Sequence, residues 1–283
     1  MSPLRQKMID AMRQRGFSAR THESYLGAVR SFSQFYRRPL GEAGAEDVAG
    51  YFEYLVRERE ASASTCRVHY GAIRFLYEKV IERPGSMGRV VLPKRGQRLP
   101  GLLNAGEIRA LISATDNLKH RSLLCTCYGC GLRVSELVAL RVRDIDGERR
   151  VLRVEQGKGG KDRDVALSEA TLEQLRRYWS RYRPSEWLFP NDTTARALNV
   201  STPQKVYSQC KRAAGIEKRG GIHALRHAYA THQLEAGMPV HQLQRALGHR
   251  SLESTMRYVH WVSGHEAGAD PRVDLVGELG LAS

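Results

Sequence analysis

The sequence has no apolar run long enough to cross a bilayer. Its first residues, MSPLRQKMIDAMRQRG, are amphipathic and charged and lack the apolar centre of a signal peptide. These absences point to a cytoplasmic protein with no membrane partner. Cysteine is scarce and odd in number: Cys66, Cys125, Cys127, Cys130 and Cys210 do not make a disulfide framework in a reducing compartment. Internal repeats and low-complexity segments are also missing. Acidic residues are in deficit, with 30 Asp and Glu against 45 Lys and Arg, for a net charge of +15. An excess of this size suits a polyanionic partner, most commonly nucleic acid, with a merely solvated basic surface as the alternative.

What is present is ordinary globular material: 41% hydrophobic and 27% charged residues over 283 positions, enough for two domains. The first domain, residues 1–83, reads as four helices. Leu4, Met8, Ile9 and Met12 fall at helical spacing before Gly16, and Tyr25, Val29, Phe32, Phe35 and Tyr36 repeat the pattern before Pro39. AEDVAGYFEYLVRERE and SASTCRVHYGAIRFLYEKVIERP supply the third and fourth, with Ser62 or Ser64 as the cap of the latter. Residues 84–100, PGSMGRVVLPKRGQRLP, have the proline and glycine density of a linker, and Lys94, Arg95 and Arg98 suit a strap lying against a polyanion.

The second domain, residues 101–283, opens with a capping box of Asn104 and Glu107. A helical stretch broken at Gly129 and Gly131 follows, then β-type runs at Val151–Val154 and Asp164–Leu167 around a Gly-Lys-Gly-Gly-Lys turn. The remainder reads as helical, with breaks at RPSEWLFPND, Gly237, Gly248 and beyond His260, and a short helix from about Pro271 to Leu279.

Two clusters raise the question of a metal. CTCYGC brings three thiols together, but its surroundings are apolar and no second pair follows, so small buried core side chains fit better than zinc ligands. His223 and His227 share a helix face, yet the residues between them are Ala224, Leu225 and Arg226, without the glutamate of a zinc hydrolase and with a cation that repels a divalent ion. A phosphate suits this stretch better. His223 and Arg226 lie three apart at a helix start, where free backbone N–H groups favour an anion.

Three separated stretches then carry a resemblance to the tyrosine recombinases, the family of phage integrases and Xer-type enzymes. GCGLRVSELVALRVRDID resembles its first arginine box, HALRHAYATHQLEAG its His-x-x-Arg box, and LQRALGHRSLESTMRYVH its His and nucleophilic Tyr box, with the lysine hairpin GKGGKDR between the first two. The resemblance implies that Arg133 and Arg226 clamp the scissile phosphate, a task for which the planar, permanently charged guanidinium is suited. Glu136 would support the site. Tyr258 would attack phosphorus, giving a 3′-phosphotyrosyl link that conserves the phosphodiester energy, so that neither metal, ATP nor any other cofactor is needed. His223 would accept the phenolic proton or assist its acceptor, His249 would donate to a phosphate oxygen, and Lys158 would protonate the departing 5′-oxygen, with Lys161 its nearby competitor. His227, His232, His241 and His260 fall outside the motif's catalytic positions and read as packing or DNA-backbone residues. On a helical wheel Tyr258 lies roughly 120° from the apolar set Leu252, Met256 and Val259, which argues against a core tyrosine.

The implied fold is mainly α with a small β-sheet: an N-terminal helical, SAM-like core-binding domain and a C-terminal tyrosine-recombinase catalytic domain. Together they would clamp duplex DNA, and strand exchange between two duplexes implies a homotetramer. Helices expected to begin near residue 1 would leave no room for an extra arm-binding domain, so an enzyme of the simple type is expected. Two rival readings use the same residues: a type IB topoisomerase that nicks and reseals one duplex, and a DNA-binding regulator with an inert site. The six filled catalytic positions weigh against the second.

Overall fold

The computed structural model describes residues 3–94, 101–155, 162–262, 275 and 277–280. Contacts divide the chain into two units, Met1–Arg98 and Leu99–Ser283. The architecture is mainly helical with one small sheet, as the sequence leads one to expect. No helix among the described residues is long and apolar enough to cross a membrane.

In the N-terminal unit the helices are α1 (Pro3–Gln14), α2 (Ala19–Tyr36), α3 (Ala45–Arg57) and α4 (Ala63–Lys79). Serine side chains start two of them: Ser18 accepts from the Thr21 N–H and Ser62 from the Thr65 N–H, each satisfying an orphan donor of the first turn. Met8, Met12, Phe32, Tyr51, Ile73, Leu76 and Tyr77 form the core, and the Tyr77 hydroxyl donates to the Leu40 carbonyl at 2.8 Å. Phe35, by contrast, is partly exposed.

The stretch expected to be linker is not uniform. Pro84–Met87 closes a 3-10 turn, Met87 is buried, and Val90 and Leu92 pack on the same core. Gly88 follows at φ 50°, where a Cβ would come within 2.6 Å of the Ala45 Cβ. Apolar residues set between prolines therefore tie this segment to the N-terminal unit. Lys94 is exposed, whereas Arg95 and Arg98 lie outside the described residues.

The C-terminal unit begins with α5 (Ala105–Ser113), whose capping box is formed as expected: Asn104 Oδ1 accepts from the Glu107 N–H and Glu107 Oε2 from the Asn104 N–H, both at 2.8 Å. Next comes α6 (Leu118–Gly129), buried on nearly every side from Ser122 to Tyr128, and then the short α7 (Val134–Ala139). Cys125, Cys127 and Cys130 are packed in this core, where burial pushes each thiol up to about 12.

The sheet is an antiparallel meander of β1 (Ile145–Asp146), β2 (Val151–Val154) and β3 (Arg163–Ala166). Leu152 pairs with Val165 and Val154 with Arg163, so Arg163 shares the inward face with three buried aliphatic residues. The expected second run, Asp164–Leu167, is thus displaced by one residue. Five helices and a tail follow: α8 (Glu169–Tyr182), α9 (Ser201–Ala213), α10 (His223–Glu235), α11 (Val240–Leu247) and α12 (Glu253–Val259). Of the helix expected from about Pro271 to Leu279, the described part, Gly277–Leu279, is a 3-10 turn flanked by Gly280, and Leu275 and Leu279 are buried in the core of their own unit.

Candidate active site

One buried carboxylate organises the site. Glu136, on the first turn of α7, has a side chain only 5% exposed. Its Oε1 accepts from Arg133 Nη1 at 2.6 Å and from Arg163 Nη1 at 3.0 Å. Oε2 accepts from the Arg133 backbone N–H at 2.9 Å and from Arg163 Nη2 at 2.8 Å. Arg226 Nη1 stands a further 3.8 Å from Oε2. Burial alone would raise this carboxyl, but the hydrogen bonds and charge of Arg163, joined by those of Arg133, hold it down at about 2. Three guanidinium groups around one carboxylate leave two positive charges in excess, which is an arrangement that favours an added anion.

Arg226 comes from the first turn of α10 and is 4% exposed. Its Nη1 donates to the Gly131 carbonyl at 2.7 Å and its Nη2 to the Leu247 carbonyl at 2.6 Å. Burial, with Arg133 nearby, lowers its pKa to about 10, still far above neutrality. Gly131 occurs at φ 57° directly under Tyr229, where a Cβ would clash at 2.4 Å, so glycine is required for the turn that presents this carbonyl. His223, one turn from His227, is exposed. Packing around its ring and the charges of Arg226 and Arg133 lower its pKa. The helix start differs from expectation in one respect: the N–H groups of Ala224 and Leu225 are already donated to Gly221 and Ile222 carbonyls, so they are not the free donors that the sequence suggested.

Beyond α11, Gly248 turns the chain at φ 62° and delivers His249. His249 Nδ1 shares a 2.8 Å hydrogen bond with the Thr255 hydroxyl, and burial, then Arg226 and Arg133, lower its pKa to about 4. The His249 ring lies parallel to the Tyr258 ring at 6° and 6.2 Å between centroids. Tyr258 also meets Trp261 edge-on at 5.2 Å. Burial raises the phenol's pKa, against the opposing charges of Arg226, Arg257 and Arg133.

Tyr258 is 3% exposed, contrary to the wheel-based expectation. In a helix of seven residues the buried positions are Thr255 and Tyr258, continued by Val262 just beyond it, while Leu252 is 48% exposed. The packing seam therefore runs at spacings of three and four through Thr255, not through Leu252.

The structure thus brings Arg133, Glu136, Arg226, His249 and Tyr258 together with His223 at the helix start. Lys158 and its competitor Lys161 lie outside the described residues. Two participants escaped the sequence reading. Arg163 was legible in the strand alternation, since it lies two residues before the buried Val165. His227, read as a packing or DNA-backbone residue, shares a 2.9 Å hydrogen bond between its Nδ1 and the Tyr258 hydroxyl. Its signal was its place on a helix buried almost all round, where a polar ring needs a partner. His232 pairs instead with the Tyr128 hydroxyl at 2.9 Å. Among the described residues no three His, Cys, Asp or Glu side chains group as metal ligands would.

Comparison with known proteins places the chain in a family. The sequence model of the Phage integrase family matches residues 102–264, and that of the phage integrase N-terminal SAM-like domain matches residues 4–86. The chain is 42% identical to y4qK of Sinorhizobium fredii, named as an integrase/recombinase, over 92% of this chain and 84% of that one. It is 32% identical to the tyrosine recombinase XerD of Pseudomonas putida, over 91% and 92% of the two chains. In fold it is similar to the XerH site-specific recombinase in a pre-cleavage complex with its difH substrate, with a TM-score of 0.72 at 19% identity, covering 91% of this chain and 82% of that one. The chain belongs to the phage integrase family of tyrosine recombinases, the enzymes of site-specific DNA cutting and rejoining.

Proposed function

We propose that this recombinase cuts one DNA strand by attack of the Tyr258 hydroxyl on phosphorus, leaving a 3′-phosphotyrosyl link and a free 5′-hydroxyl. The observation that carries the reading is the convergence of Arg133 and Arg226 on Glu136, beside a tyrosine packed against His249. The bond formed is Tyr258 Oη to phosphorus and the bond broken is phosphorus to the 5′-oxygen. The phenolic proton passes to His223 or to an acceptor that His223 assists, and one proton, from Lys158, reaches the leaving oxygen. The reverse attack by a 5′-hydroxyl restores a phosphodiester, so the energy of the bond is retained and no ATP is spent.

In this reading Arg133 and Arg226 grip the non-bridging oxygens. Carbonyls and Glu136 occupy part of each fork and fix its direction, so charge that builds on the phosphoryl oxygens meets donors already aimed. His249 donates to a phosphate oxygen from Nε2, its Nδ1 being held by Thr255. His223, exposed at the start of α10, takes the phenolic proton or assists its acceptor. Lys158 serves as the proton donor to the 5′-oxygen, a role that rests on the motif match alone. None of these steps uses a metal.

The partner is double-stranded DNA, consistent with the +15 charge, and Lys94, Arg95 and Arg98 contact its backbone from the segment joining the domains proposed at residues 1–83 and 101–283. Exchange between two duplexes, each cut on both strands, takes four copies assembled on DNA in the cytoplasm. A nicked suicide duplex, built on the genomic segment that the protein protects from nuclease, tests the chemistry. Wild-type protein is expected to form a covalent complex stable to denaturant and Tyr258→Phe none; trapping that survives the substitution contradicts the assignment.

A further inference from the structure

We propose that His227 is the positioning residue of the nucleophile, its Nδ1 accepting the Tyr258 phenolic proton in a hydrogen bond that fixes where the reactive oxygen points. The proposal rests on Tyr258 being the nucleophile, and it gives His227 the resting contact with the phenol while final acceptance of the proton stays with His223.

The geometry supports the assignment from three directions. Tyr258 is confined by ring packing on two sides, with Trp261 edge-on and His249 parallel. Neither contact determines the direction of the hydroxyl. The group that does so is His227, 2.9 Å from the oxygen and itself held edge-on by Trp261 at 6.1 Å and 84°. His227 and Tyr258 sit on α10 and α12, which pack together, so this bond is a side-chain tie between the helix of Arg226 and the helix of the nucleophile.

The bond joins two neutral groups. Burial first, then the charges of His223, Arg226 and Arg257, lower the His227 pKa to about 4, so the ring is neutral at neutral pH. Burial likewise keeps the phenol protonated. A neutral imidazole has one acceptor nitrogen; in the proposed Nε2–H tautomer it is Nδ1, 2.9 Å from the hydroxyl, and the phenol donates to it. Donating its proton to Nδ1 leaves the phenolic oxygen's lone pairs available to phosphorus. A ring with so low a pKa is a poor final proton acceptor, and for this reason positioning, not general-base catalysis, is the role that the site supports.

The test compares single-turnover trapping on the nicked suicide duplex among wild type, His227→Phe, His227→Asn and His227→Gln, with Tyr258→Phe as the zero. Asparagine offers an acceptor near the place of Nδ1, glutamine near that of Nε2, and phenylalanine offers none. His227→Phe is expected to slow trapping by about 10- to 100-fold, the cost of a misdirected attacking atom, at unchanged DNA affinity. His227→Asn should recover most of the rate and His227→Gln little of it. A His227→Phe protein as fast as wild type, or faster, overturns the proposal, as do equal rates for the Asn and Gln variants. The Asn and Gln pair remains decisive where the Phe variant fails to fold. Trapping that persists in Tyr258→Phe overturns the reading of the nucleophile itself, and is thereby distinguished from failure at His227 alone. In the free protein, the 15N shift of His227 Nδ1 should be that of an unprotonated nitrogen and should move in Tyr258→Phe; a protonated Nδ1 contradicts the bond's direction.

Discussion

At Glu136 the balance between burial and pairing is decided by Arg163 more than by either arginine that the motif names. Arg163 meets both carboxylate oxygens with a fork and spends its Nε on the Ala246 carbonyl at 2.7 Å, joining β3, α7 and the end of α11. Removing it leaves a buried carboxylate short of a partner, so Arg163→Ala should cost about 3 kcal/mol in urea unfolding. Arg163→Lys retains the charge but cannot make the fork, and should lower strand cleavage while DNA binding persists. The sign of the pH dependence follows from the folded value of about 2 against an ordinary 4.5. Glu136 binds fewer protons in the folded state than in the unfolded one at intermediate pH. Its stabilisation is therefore complete above about 4.5 and lost as pH falls from there through about 2. The difference in melting temperature between wild type and Glu136→Gln should narrow across that window. His227 and His249 act in the same direction at higher pH: held at about 4 against an ordinary 6.5, they favour the fold above 6.5 and progressively less as pH falls toward 4.

Among the elements, the site hangs on turns as much as on helices. Gly131 and Gly248 both take positive φ, one presenting the carbonyl that anchors Arg226 and the other turning the chain into His249 under the Arg163 side chain, 3.0 Å from where a Cβ would lie. Gly131→Ala should destabilise the fold by about 2 kcal/mol or more, since left-handed backbone strain adds to an overlap with the Tyr229 ring. A fall of several degrees in melting temperature is the expected reading. The helix signals of the sequence served well where caps were explicit, as at Asn104 and Ser62, and where the apolar period was long, as in α1 and α2. They failed at α12 because seven residues give a wheel too few turns to define a face, and tertiary packing on α10 selected Thr255 and Tyr258. They failed also between Pro84 and Leu92, where proline and glycine concealed residues that the N-terminal core buries.

For the whole molecule, the arginine boxes and the tyrosine box were legible because the side-chain types that suit phosphate chemistry fall here in the order of the family that the chain resembles. What links them was less so. The tie from His227 to Tyr258 spans 31 residues, and the Arg163 fork reaches Glu136 across 27; such pairings depend on how helices and strands pack, which local pattern does not encode. The excess of 45 basic over 30 acidic residues predicts DNA affinity that falls with salt, log Kd rising linearly with log salt as counterion release is lost. A salt-independent Kd in a fluorescence titration would contradict a phosphate-dominated interface. The central claim is that DNA becomes covalently joined to one side chain. Nuclease digestion of the trapped complex, followed by mass spectrometry of its peptides, measures this directly. The account predicts a nucleotide on the peptide containing Tyr258, linked through its 3′-phosphate; a modified residue anywhere else, or a 5′-phosphate link, would contradict it.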